Sequence, residues 1–560
     1  MTLKDLAGQQ GRPIDHPSLA FDYQASPDQA RPAADPARHP VVIVGAGPVG
    51  LALAIDLAQR GQPVVLLDND HRLSTGSRAI CFAKRTLEIF DRLGCGQPMV
   101  DKGVSWKVGR VFLKNEQVYS FDLLPEEGHA RPAFINLQQY HVEGYLVERV
   151  AQLPLIDLRW KNEVSGVESF DEHVLLTIQT PDGPYRLAAE HVVACDGARS
   201  AVRRQLGLES KGRSFKDRFL IADVRMQHEA PAERWFWFDP DFHPNQSVLL
   251  HRQPDGVWRI DFQLGWDADP EEEKKPERIL PRVRALLAHS AMKDAEVELV
   301  WASVYTFSCL RMDSFRHGRV LFAGDAAHGV SPFGARGANS GVQDADNLAW
   351  KLAAVLRKNA PDALLDTYAR EREYAADENI LHSTRATDFI TPKSAVSRLF
   401  RDAVLELAKT QPFARTLVNS GRLSVPATLH GSTLNTPDAA ADAFAGTMRP
   451  GAPAADAPVT LPDGRRTWLL PQLGEGFTLL VAGEAAADLH AVDGHGLPVK
   501  LLAIGRDLGD PQGRLAARYN LRPGTVILIR PDQHVCARWR HADRPAVDAA
   551  IRRALALAVA

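Results

Sequence analysis

Apolar residues form two kinds of pattern in the first part of this chain. Residues 41–44, 64–67, 191–194 and 320–323 are short, almost continuously apolar runs, as in the buried strands of a parallel sheet. Residues 49–60 lie between the first two runs and repeat apolar positions every three or four residues, which predicts a helix. A strand, a helix and a second strand in this order predict an α/β domain.

A different pattern occupies residues 215–310. Apolar and polar positions alternate there, with many aromatic side chains, which predicts an antiparallel sheet with an aromatic face. Trp235 and Trp237 belong to this stretch. An aromatic face could hold a planar substrate, and the same spacing also suits an ordinary core, so both interpretations stay open here.

The two ends of the chain differ from its middle. Residues 1–39 are rich in Pro, Ala, Asp and Gln with little periodicity, and we expect a mobile or surface-draped arm. Residues 435–463 are rich in Ala, Pro, Asp and Gly, which is typical of a linker. Strand and helix patterns alternate through residues 464–560 and predict a small α/β domain.

Glycines follow the first apolar run at a spacing that suits a phosphate-binding turn. Gly45, Gly47 and Gly50 can turn the chain tightly, admit a pyrophosphate against bare backbone, and let the next helix pack closely. Asp68 ends the second run, where a carboxylate can accept hydrogen bonds from the hydroxyls of an adenosine ribose. Together these features predict dinucleotide binding.

Two later apolar runs also end on an acidic residue beside a glycine. The first is followed by Asp196 and Gly197, and the second by Gly324 and Asp325. Each carboxylate is placed to meet a hydroxyl or phosphate-linked group of the cofactor. The glycine-rich segment 332–341 then leads into a helix, whose N-terminus would stabilise negative charge. His328 is expected to pack or hydrogen-bond, and not to act as a base.

Composition excludes several classes of protein. A chain of 560 residues should hold two to four domains, and its net charge of −3 favours neither nucleic acid nor an anionic membrane as a partner. No apolar run approaches the 18 residues of a membrane span. The five cysteines lack the spacing of a metal site or redox pair, so we expect reduced thiols, no bound metal and a cytoplasmic location.

The three motifs, in their order, resemble the group A flavoprotein monooxygenases, a family of single-component aromatic hydroxylases that includes p-hydroxybenzoate, phenol and 3-(3-hydroxyphenyl)propionate hydroxylases. They read Gly45-Ala-Gly-Pro-Val-Gly50, Asp196-Gly-Ala-Arg-Ser200 and Gly324-Asp-Ala-Ala-His328. The resemblance implies an α/β fold: a Rossmann-type FAD-binding domain with an inserted antiparallel-sheet substrate domain and a thioredoxin-like C-terminal domain. The expected divisions are residues 1–39 (arm), 40–214 (FAD-binding domain, first part), 215–310 (substrate-binding sheet domain), 311–434 (FAD-binding domain with its GD motif, and helical region), 435–463 (linker) and 464–560 (thioredoxin-like domain).

The resemblance also implies an enzyme of aromatic compound catabolism. It would use FAD, with NADH or NADPH and O2, to hydroxylate a small phenolic or aromatic substrate through a flavin C4a-hydroperoxide, and a homodimer is the default expectation. The residues implied in cofactor binding are Gly45, Gly47, Pro48, Gly50, Asp68, Arg78, Gln139, Asp196, Gly197, Arg199, Gly324, Asp325, Pro332, Gly337, Ala338 and Asn339.

The substrate site is less well defined by the sequence. Trp235, Trp237 and Phe333 are candidates for the pocket wall, and Arg336, His243 and His251 are candidates for its reactive groups. Ile80 occupies the place of the aspartate that helps to activate phenol in phenol hydroxylase. The group that deprotonates the substrate therefore cannot be carried over from the family.

Two other functions stay open at this point. The segment Trp235-Phe-Trp237-Phe-Asp-Pro240 resembles the WxWxxP element of flavin-dependent tryptophan halogenases, although Asp239 stands where isoleucine is usual. A flavin-binding sensor without turnover is the other alternative. Direct reduction of the flavin by a nicotinamide would argue against a halogenase, and substrate-stimulated oxygen uptake would argue against a sensor.

Overall fold

A mostly parallel sheet brings together the four apolar runs of the first pattern. The computed structural model describes residues 1–9, 14–76, 78–228, 231–288, 292–418, 423 and 425–558. Neighbouring strands of this first sheet follow the order Arg316–His317, Val320–Phe322, Gly183–Ala194, Ala37–Val44, Val64–Leu67 and Ile156–Arg159. The strands from Val320–Phe322 to Ile156–Arg159 are parallel. Strands Val174–Thr180 and Glu163–Ser169 extend Gly183–Ala194 as an antiparallel meander.

Helices cover this sheet where the periodicity predicts them. Pro48–Gln59 packs closely against Gly337–Leu356, and Gln139–Val150 lies beside Pro48–Gln59. Helix Lys84–Leu93 ends at Gly94, whose φ of 85° is a left-handed cap that glycine adopts at low cost. The predicted α/β domain is therefore confirmed.

The second sheet confirms the predicted antiparallel sheet and is larger than residues 215–310. Its strands follow the order His328–Gly329, Glu298–Met312, Ser210–Arg225, Val257–Leu264, Ser247–Arg252, Arg234–Phe238, Val108–Leu113 and Glu116–Asp122. Strand Val108–Leu113 pairs in parallel with Arg234–Phe238, whereas the other pairs are antiparallel. The hairpin 108–122 thus joins a sheet formed mainly by residues a hundred positions later.

The two faces of the second sheet contact different parts of the protein. Its outer face packs on helix Pro276–Ala288 through apolar side chains. Its inner face contacts the helical region and a small sheet formed by Cys81–Ala83, Phe134–Asn136 and Val104–Trp106. The helical region consists of Leu364–Ile390, Ala395–Thr410 and Pro412–Val418. The inner face is therefore the one that lies against the first domain.

The last part of the chain forms an α/β unit with a mixed sheet. Its strands follow the order Val499–Ile504, Phe477–Ala482, Val526–Ile529 and Val535–Trp539, with the first pair parallel and the others antiparallel. This arrangement is compatible with a thioredoxin-like domain, which stays a prediction. The remaining short elements are helices Leu3–Ala7, Gly96–Lys102, Ala201–Gln205, Pro270–Glu273, Arg514–Tyr519 and Arg544–Ala554; 3-10 turns His16–Ser18, Pro27–Ala30, Gly324–Ala326, Ala440–Asp442, Leu470–Gln472 and Ala487–Ala491; and the pair Pro458–Thr460 with Arg466–Trp468.

Of the two alternatives for the N-terminal arm, the residues described form a segment packed on the first domain and not a mobile one. Leu6, Leu19 and Phe21 are buried in the main core, and Phe21 stacks on Trp160 at 4.9 Å between ring centroids. Part of the expected linker is equally ordered, since Ala457 lies in the core of the C-terminal unit. Within the described ranges, no helix combines the length and apolar character needed to cross a membrane.

Candidate FAD and substrate site

The three glycine-containing motifs meet at one edge of the first sheet. Val44 pairs in register with both Leu67 and Ala194, and Ala194 pairs with Phe322. Because these strands are parallel, the residues after them all leave the sheet at its carboxyl edge. Ligands of open α/β sheets bind at this edge, outside the ends of the strands.

The glycines of the first motif meet different steric requirements. Gly45 has a φ of 104°, and a Cβ atom there would lie 2.5 Å from the carbonyl oxygen of Cys195. A Cβ on Gly50 would lie 1.9 Å from the carbonyl oxygen of Gly45. A Cβ on Gly47, by contrast, would meet no atom within 4 Å. The protein itself requires the first and last glycines, whereas Gly47 borders open space beside Pro48, the first residue of the helix.

Two carboxylates lie beside this turn. Asp68 accepts hydrogen bonds from the backbone N–H groups of Ala46 at 2.6 Å and Asp70 at 2.8 Å, while burial raises its pKa. Asp196 accepts a hydrogen bond through Oδ2 from the N–H of Val202 at 3.1 Å. Its Oδ1 is sealed from solvent and has no partner among the residues described. The two side chains thus place acceptor oxygens around the turn.

The third motif packs directly on the first. A Cβ on Gly324 would lie 2.9 Å from Cγ2 of Val49, so a larger residue would push the two loops apart. Asp325 is accessible to water, and no described residue hydrogen-bonds to its carboxylate. Desolvation raises its pKa, and the nearby charges of His328 and Arg78 oppose this rise. The Asp325 carboxylate is therefore available to a ligand.

The glycine-rich segment is held by its own side chains. Asn339 donates hydrogen bonds to the carbonyl oxygens of Cys81 at 2.9 Å and Ala335 at 2.6 Å, and accepts one from the N–H of Ala83 at 2.8 Å. Its side chain thereby ties the helix that begins at Gly337 to the small sheet. Nearby Pro332 is exposed and Ala338 is half-buried.

Other predicted cofactor residues surround the same edge. Gln139 accepts a hydrogen bond from the N–H of Ala79 at 3.1 Å and donates one to Glu143 at 2.8 Å, which holds the segment carrying the exposed Arg78. Arg199 is exposed, and Gly197 has a φ of 76°. The structure thus brings the predicted cofactor residues together around one edge.

His328 is a structural residue, as expected. Its Nε2 lies 2.7 Å from Oδ2 of Asp344, and Arg372 donates a hydrogen bond to the other oxygen of that carboxylate at 2.6 Å. The N–H of Gly324 also donates to Asp344 at 3.0 Å. This buried network fixes the Gly324 turn and leaves no role for His328 as a base.

The predicted substrate residues are divided between the two faces of the second sheet. Trp235 and Trp237 pack on the outer face under helix Pro276–Ala288, and His243 lies there too, against Phe262. Strand pleating puts neighbouring positions on opposite faces, so Phe236 and Phe238 point inward instead. This placement argues against the two tryptophans and His243 as pocket residues, and removes the support for a halogenase element.

The remaining candidates lie on the inner side. Phe333 is buried edge-to-face against Phe219, with 4.9 Å between ring centroids. Arg336 precedes helix Gly337–Leu356 and donates a hydrogen bond to Asn379 at 3.2 Å, which directs its guanidinium toward helix Leu364–Ile390. His251 is buried, and burial lowers its pKa well below 6.5.

A row of polar residues that was not predicted from the sequence crosses the inner face. Arg234, His251, Arg259 and Asp223 pair in register on four adjacent strands. Arg259 donates hydrogen bonds to Asp223 at 2.8 and 2.9 Å. Asp261 follows on the same face, and burial raises its pKa to about 6. Alternation in residues 257–263 could have indicated this face, since every second side chain there is polar.

The family model described as FAD binding domain matches residues 38–383. The chain is 30% identical over 380 residues to 3-(3-hydroxy-phenyl)propionate/3-hydroxycinnamic acid hydroxylase of Mycolicibacterium smegmatis, covering 66% of this chain and 65% of that protein. It is 34% identical over 355 residues to the probable NADH-specific resorcinol 4-hydroxylase of Rhodococcus jostii, covering 63% and 64%.

A solved structure extends the likeness to nearly the whole chain. The flavin-dependent monooxygenase PieE, in complex with FAD and substrate, superposes with a TM-score of 0.75 over 93% of this chain and 99% of PieE, at 23% identity. At that identity the match shows a shared fold. The family model, in turn, spans all three glycine-containing motifs. This chain belongs to the FAD-binding domain family.

Proposed function

We propose that this protein is a single-component flavoprotein monooxygenase that hydroxylates a phenolic or aromatic compound with NADH or NADPH and O2. The observation that carries the proposal is the convergence of the Gly45, Asp196 and Gly324 loops at the carboxyl edge of the first sheet. The aromatic hydroxylases among its relatives support the choice of reaction.

The residues at this edge fit FAD. Open space beside Gly47 at the start of helix Pro48–Gln59 suits the pyrophosphate, because backbone N–H groups and the helix dipole both favour an anion there. Asp68 would accept the hydroxyls of the adenosine ribose, and the unpartnered oxygens of Asp196 and Asp325 would accept further hydroxyls of the cofactor. Arg78, Gln139 and Arg199 would complete its surroundings.

The glycine-rich segment is proposed to contact the flavin ring. The N-terminus of helix Gly337–Leu356 presents unpaired N–H groups at Gly337, Ala338 and Asn339, which would stabilise negative charge on the reduced ring. When bound, FAD supplies the acceptance of two electrons from the nicotinamide and the activation of O2. The protein's own part is to orient the aromatic ring and exclude water.

An apolar lining next to this segment is the proposed substrate pocket. Ile80, Cys81, Trp106 and Phe134 are buried in one cluster, against which Ala335 of the glycine-rich segment packs. Apolar walls of this kind keep water from the reaction. We further propose a cytoplasmic location, which the five free cysteines support.

Rapid mixing tests the proposed function. Purified FAD-loaded protein is mixed with NADH and with NADPH, each with and without resorcinol, 3-(3-hydroxyphenyl)propionate and 4-nitrophenol. We expect direct flavin reduction that one phenol accelerates many-fold, followed by one hydroxylated product per O2 consumed. Absence of reduction by both nucleotides, with every phenol, would overturn the proposal.

A homodimer is the proposed assembly. Helix Ala395–Thr410 presents a row of apolar side chains that are each at least 42% exposed: Val396, Leu399, Phe400 and Leu407. Phe413 and Leu417 of the next helix continue the same apolar surface. Exposed apolar patches of this kind mark protein interfaces, and a two-fold axis would cover the patch with its own copy.

A further inference from the structure

Two charged side chains on the inner face of the second sheet, one buried and one half-buried, have no ion-pair or hydrogen-bond partner among the residues described. Arg234 is 9% exposed, and its guanidinium makes no hydrogen bond or ion pair with any residue that the structure describes. The Asp261 carboxylate likewise has no such partner in the described chain, and its Oδ1 is sealed from solvent. Nearby Arg259 and Asp223 differ, because they satisfy each other through two hydrogen bonds.

The sheet register places these two groups on the same face, with the strand of His251 between their strands. Arg234 pairs with His251, and His251 pairs with Arg259. Asp261 lies two residues beyond Arg259 and therefore on the same face. Two strand spacings across the sheet and two residues along the strand put the backbones of Arg234 and Asp261 roughly 12 Å apart. Each side chain influences the pKa of the other without forming an ion pair.

This part of the inner face adjoins the proposed substrate pocket. The charges of Arg234, Arg259 and Asp261 all act on the Cys81 thiol, which faces them from the small sheet. Cys81 packs in the apolar cluster of Ile80, Trp106 and Phe134, beside Ala335. Asn339 donates hydrogen bonds to the carbonyl oxygens of both Cys81 and Ala335. The two charged groups thus border the wall that continues into the glycine-rich segment.

The chemistry of Arg234 and Asp261 determines which ligand group could bind to both. A buried charge without a partner is costly, so a ligand that satisfies both groups gains binding energy. Arginine can only donate hydrogen bonds, and an ionised carboxylate can only accept them. A hydroxyl group accepts one and donates the other. A substrate carboxylate would suit Arg234 and would be repelled by Asp261.

We propose that Arg234 and Asp261 together hold the phenolic hydroxyl of the aromatic substrate, with Asp261 as the base that removes its proton. This inference rests on the proposed function. The O–H bond of the phenol breaks, the proton moves to an oxygen of Asp261, and the electron pair stays on the phenolate oxygen. The Arg234 guanidinium donates a hydrogen bond to that oxygen and offsets its charge.

Two further observations agree with this assignment. Burial raises the pKa of Asp261 to about 6, which is closer to the pKa of a phenol than that of an ordinary carboxyl group is. With this pKa, the Asp261 carboxyl group is still mostly ionised at neutral pH. His251 beside the pair is held neutral by burial and by the charges of Arg234 and Arg259.

Variants of both residues, assayed as FAD-loaded enzyme, test the proposal. For Asp261→Asn we expect turnover of resorcinol to fall about a hundredfold or more, since proton transfer by a positioned base contributes that much. Turnover of 4-nitrophenol at pH 8, where the phenol is already ionised in solution, should stay within a few-fold of wild type. Arg234→Met should weaken binding of the 4-nitrophenolate anion at least about tenfold, and Arg234→Lys should restore part of it.

Binding is measured separately from turnover, by the change in flavin absorbance on titration with each phenol. Asp241→Asn and Arg110→Met are the matched controls, since Asp241 is exposed and Arg110 pairs with Glu233 outside the pocket. If Asp261→Asn lost turnover equally with resorcinol and 4-nitrophenol, or with neither, Asp261 would not be the base. A binding loss in Arg234→Met confined to 3-(3-hydroxyphenyl)propionate would assign Arg234 to a carboxylate instead. If wild type hydroxylates no phenol, the proposed function itself fails.

Discussion

Arg530 and Glu371 form a bidentate ion pair that is sealed from solvent and joins the C-terminal unit to helix Leu364–Ile390. The Nη1–Oε1 and Nη2–Oε2 distances are 2.6 and 3.1 Å, and the two side chains are 0% and 2% exposed. Lys351 donates to the same carboxylate at 2.7 Å, and Asp532 accepts from Arg530 on the other side. The C-terminal unit is therefore part of the same folded core.

Removal of one member of this pair should be severely destabilising. Glu371→Gln leaves Arg530 and Lys351 with less compensating charge in a buried site, and we expect a loss of about 3–5 kcal/mol in the free energy of unfolding. Chemical denaturation measures the change. The exposed pair of Arg31 and Asp35 is the control, and Asp35→Asn should leave the unfolding midpoint unchanged. Equal midpoints for Glu371→Gln and wild type would contradict the assigned role.

The first glycine motif allows folding to be separated from cofactor binding. Gly45→Ala introduces a Cβ at a positive φ and against Cys195, so we expect a loss of stability of at least about 1 kcal/mol. Gly47 has a φ of −74° and no protein atom near its Cβ, so Gly47→Ala should fold normally and retain less FAD. Thermal unfolding of the apoprotein and a fluorescence titration with FAD give the two quantities. Unchanged FAD affinity in Gly47→Ala would place the pyrophosphate elsewhere.

Acid should destabilise the protein through a buried histidine of the first sheet. Burial lowers the pKa of His191 to about 4; the charge of Arg319 lowers it further, and that of Asp362 opposes the shift. Because the unfolded state binds this proton more tightly, stability is lost as pH falls from about 6.5 toward 4. Between pH 7 and pH 5 the loss due to His191 should be about 2 kcal/mol.

His191→Leu removes the titrating imidazole and places an apolar side chain in its buried site. Between pH 7 and pH 5, we expect the free energy of unfolding of His191→Leu to fall by about 2 kcal/mol less than that of wild type. Urea denaturation at the two pH values measures the difference. His173→Leu, at a half-buried position next to the exposed Glu172, is the control and should keep the wild-type dependence. A parallel dependence in His191→Leu and wild type would show that the acid loss has another origin.

The exposed row on helix Ala395–Thr410 predicts the assembly. Phe400→Glu should convert a dimer into a monomer, because a like pair of buried charges would face each other across a two-fold axis. Light scattering coupled to size-exclusion chromatography reports the mass. Tyr374→Glu, on the neighbouring helix, is an exposed control outside the row. A monomeric wild type would refute the dimer outright.

Local features of the sequence predicted the first domain well. The strands around Val41 and Val64, the helix between them and the glycine turn depend on short-range signals: apolar runs, period 3.6 and residues that permit special φ values. Their meeting at one edge also follows from sequence, because successive parallel strands deliver their ends to the same side of a sheet. The acidic residues Asp196 and Asp325 could therefore be grouped before the fold was known.

The tertiary structure alone decided which side of the second sheet faces the site. Alternation distinguishes two faces of a strand but does not say which one lies against the first domain, so Trp235 was expected in the pocket and Arg234, its neighbour, was overlooked. The placement of Arg234 and Asp261 on one face, two strands apart, depends on sheet register. The ion pair of Arg530 with Glu371, from distant parts of the chain, depends on domain packing. The sequence by itself determined the local elements and the edge at which the cofactor residues meet. Long-range packing decided which face of the second sheet is on the substrate side and how the C-terminal unit is attached. Contacts between distant residues leave no periodic pattern in a single sequence, so these two features could not be predicted from it.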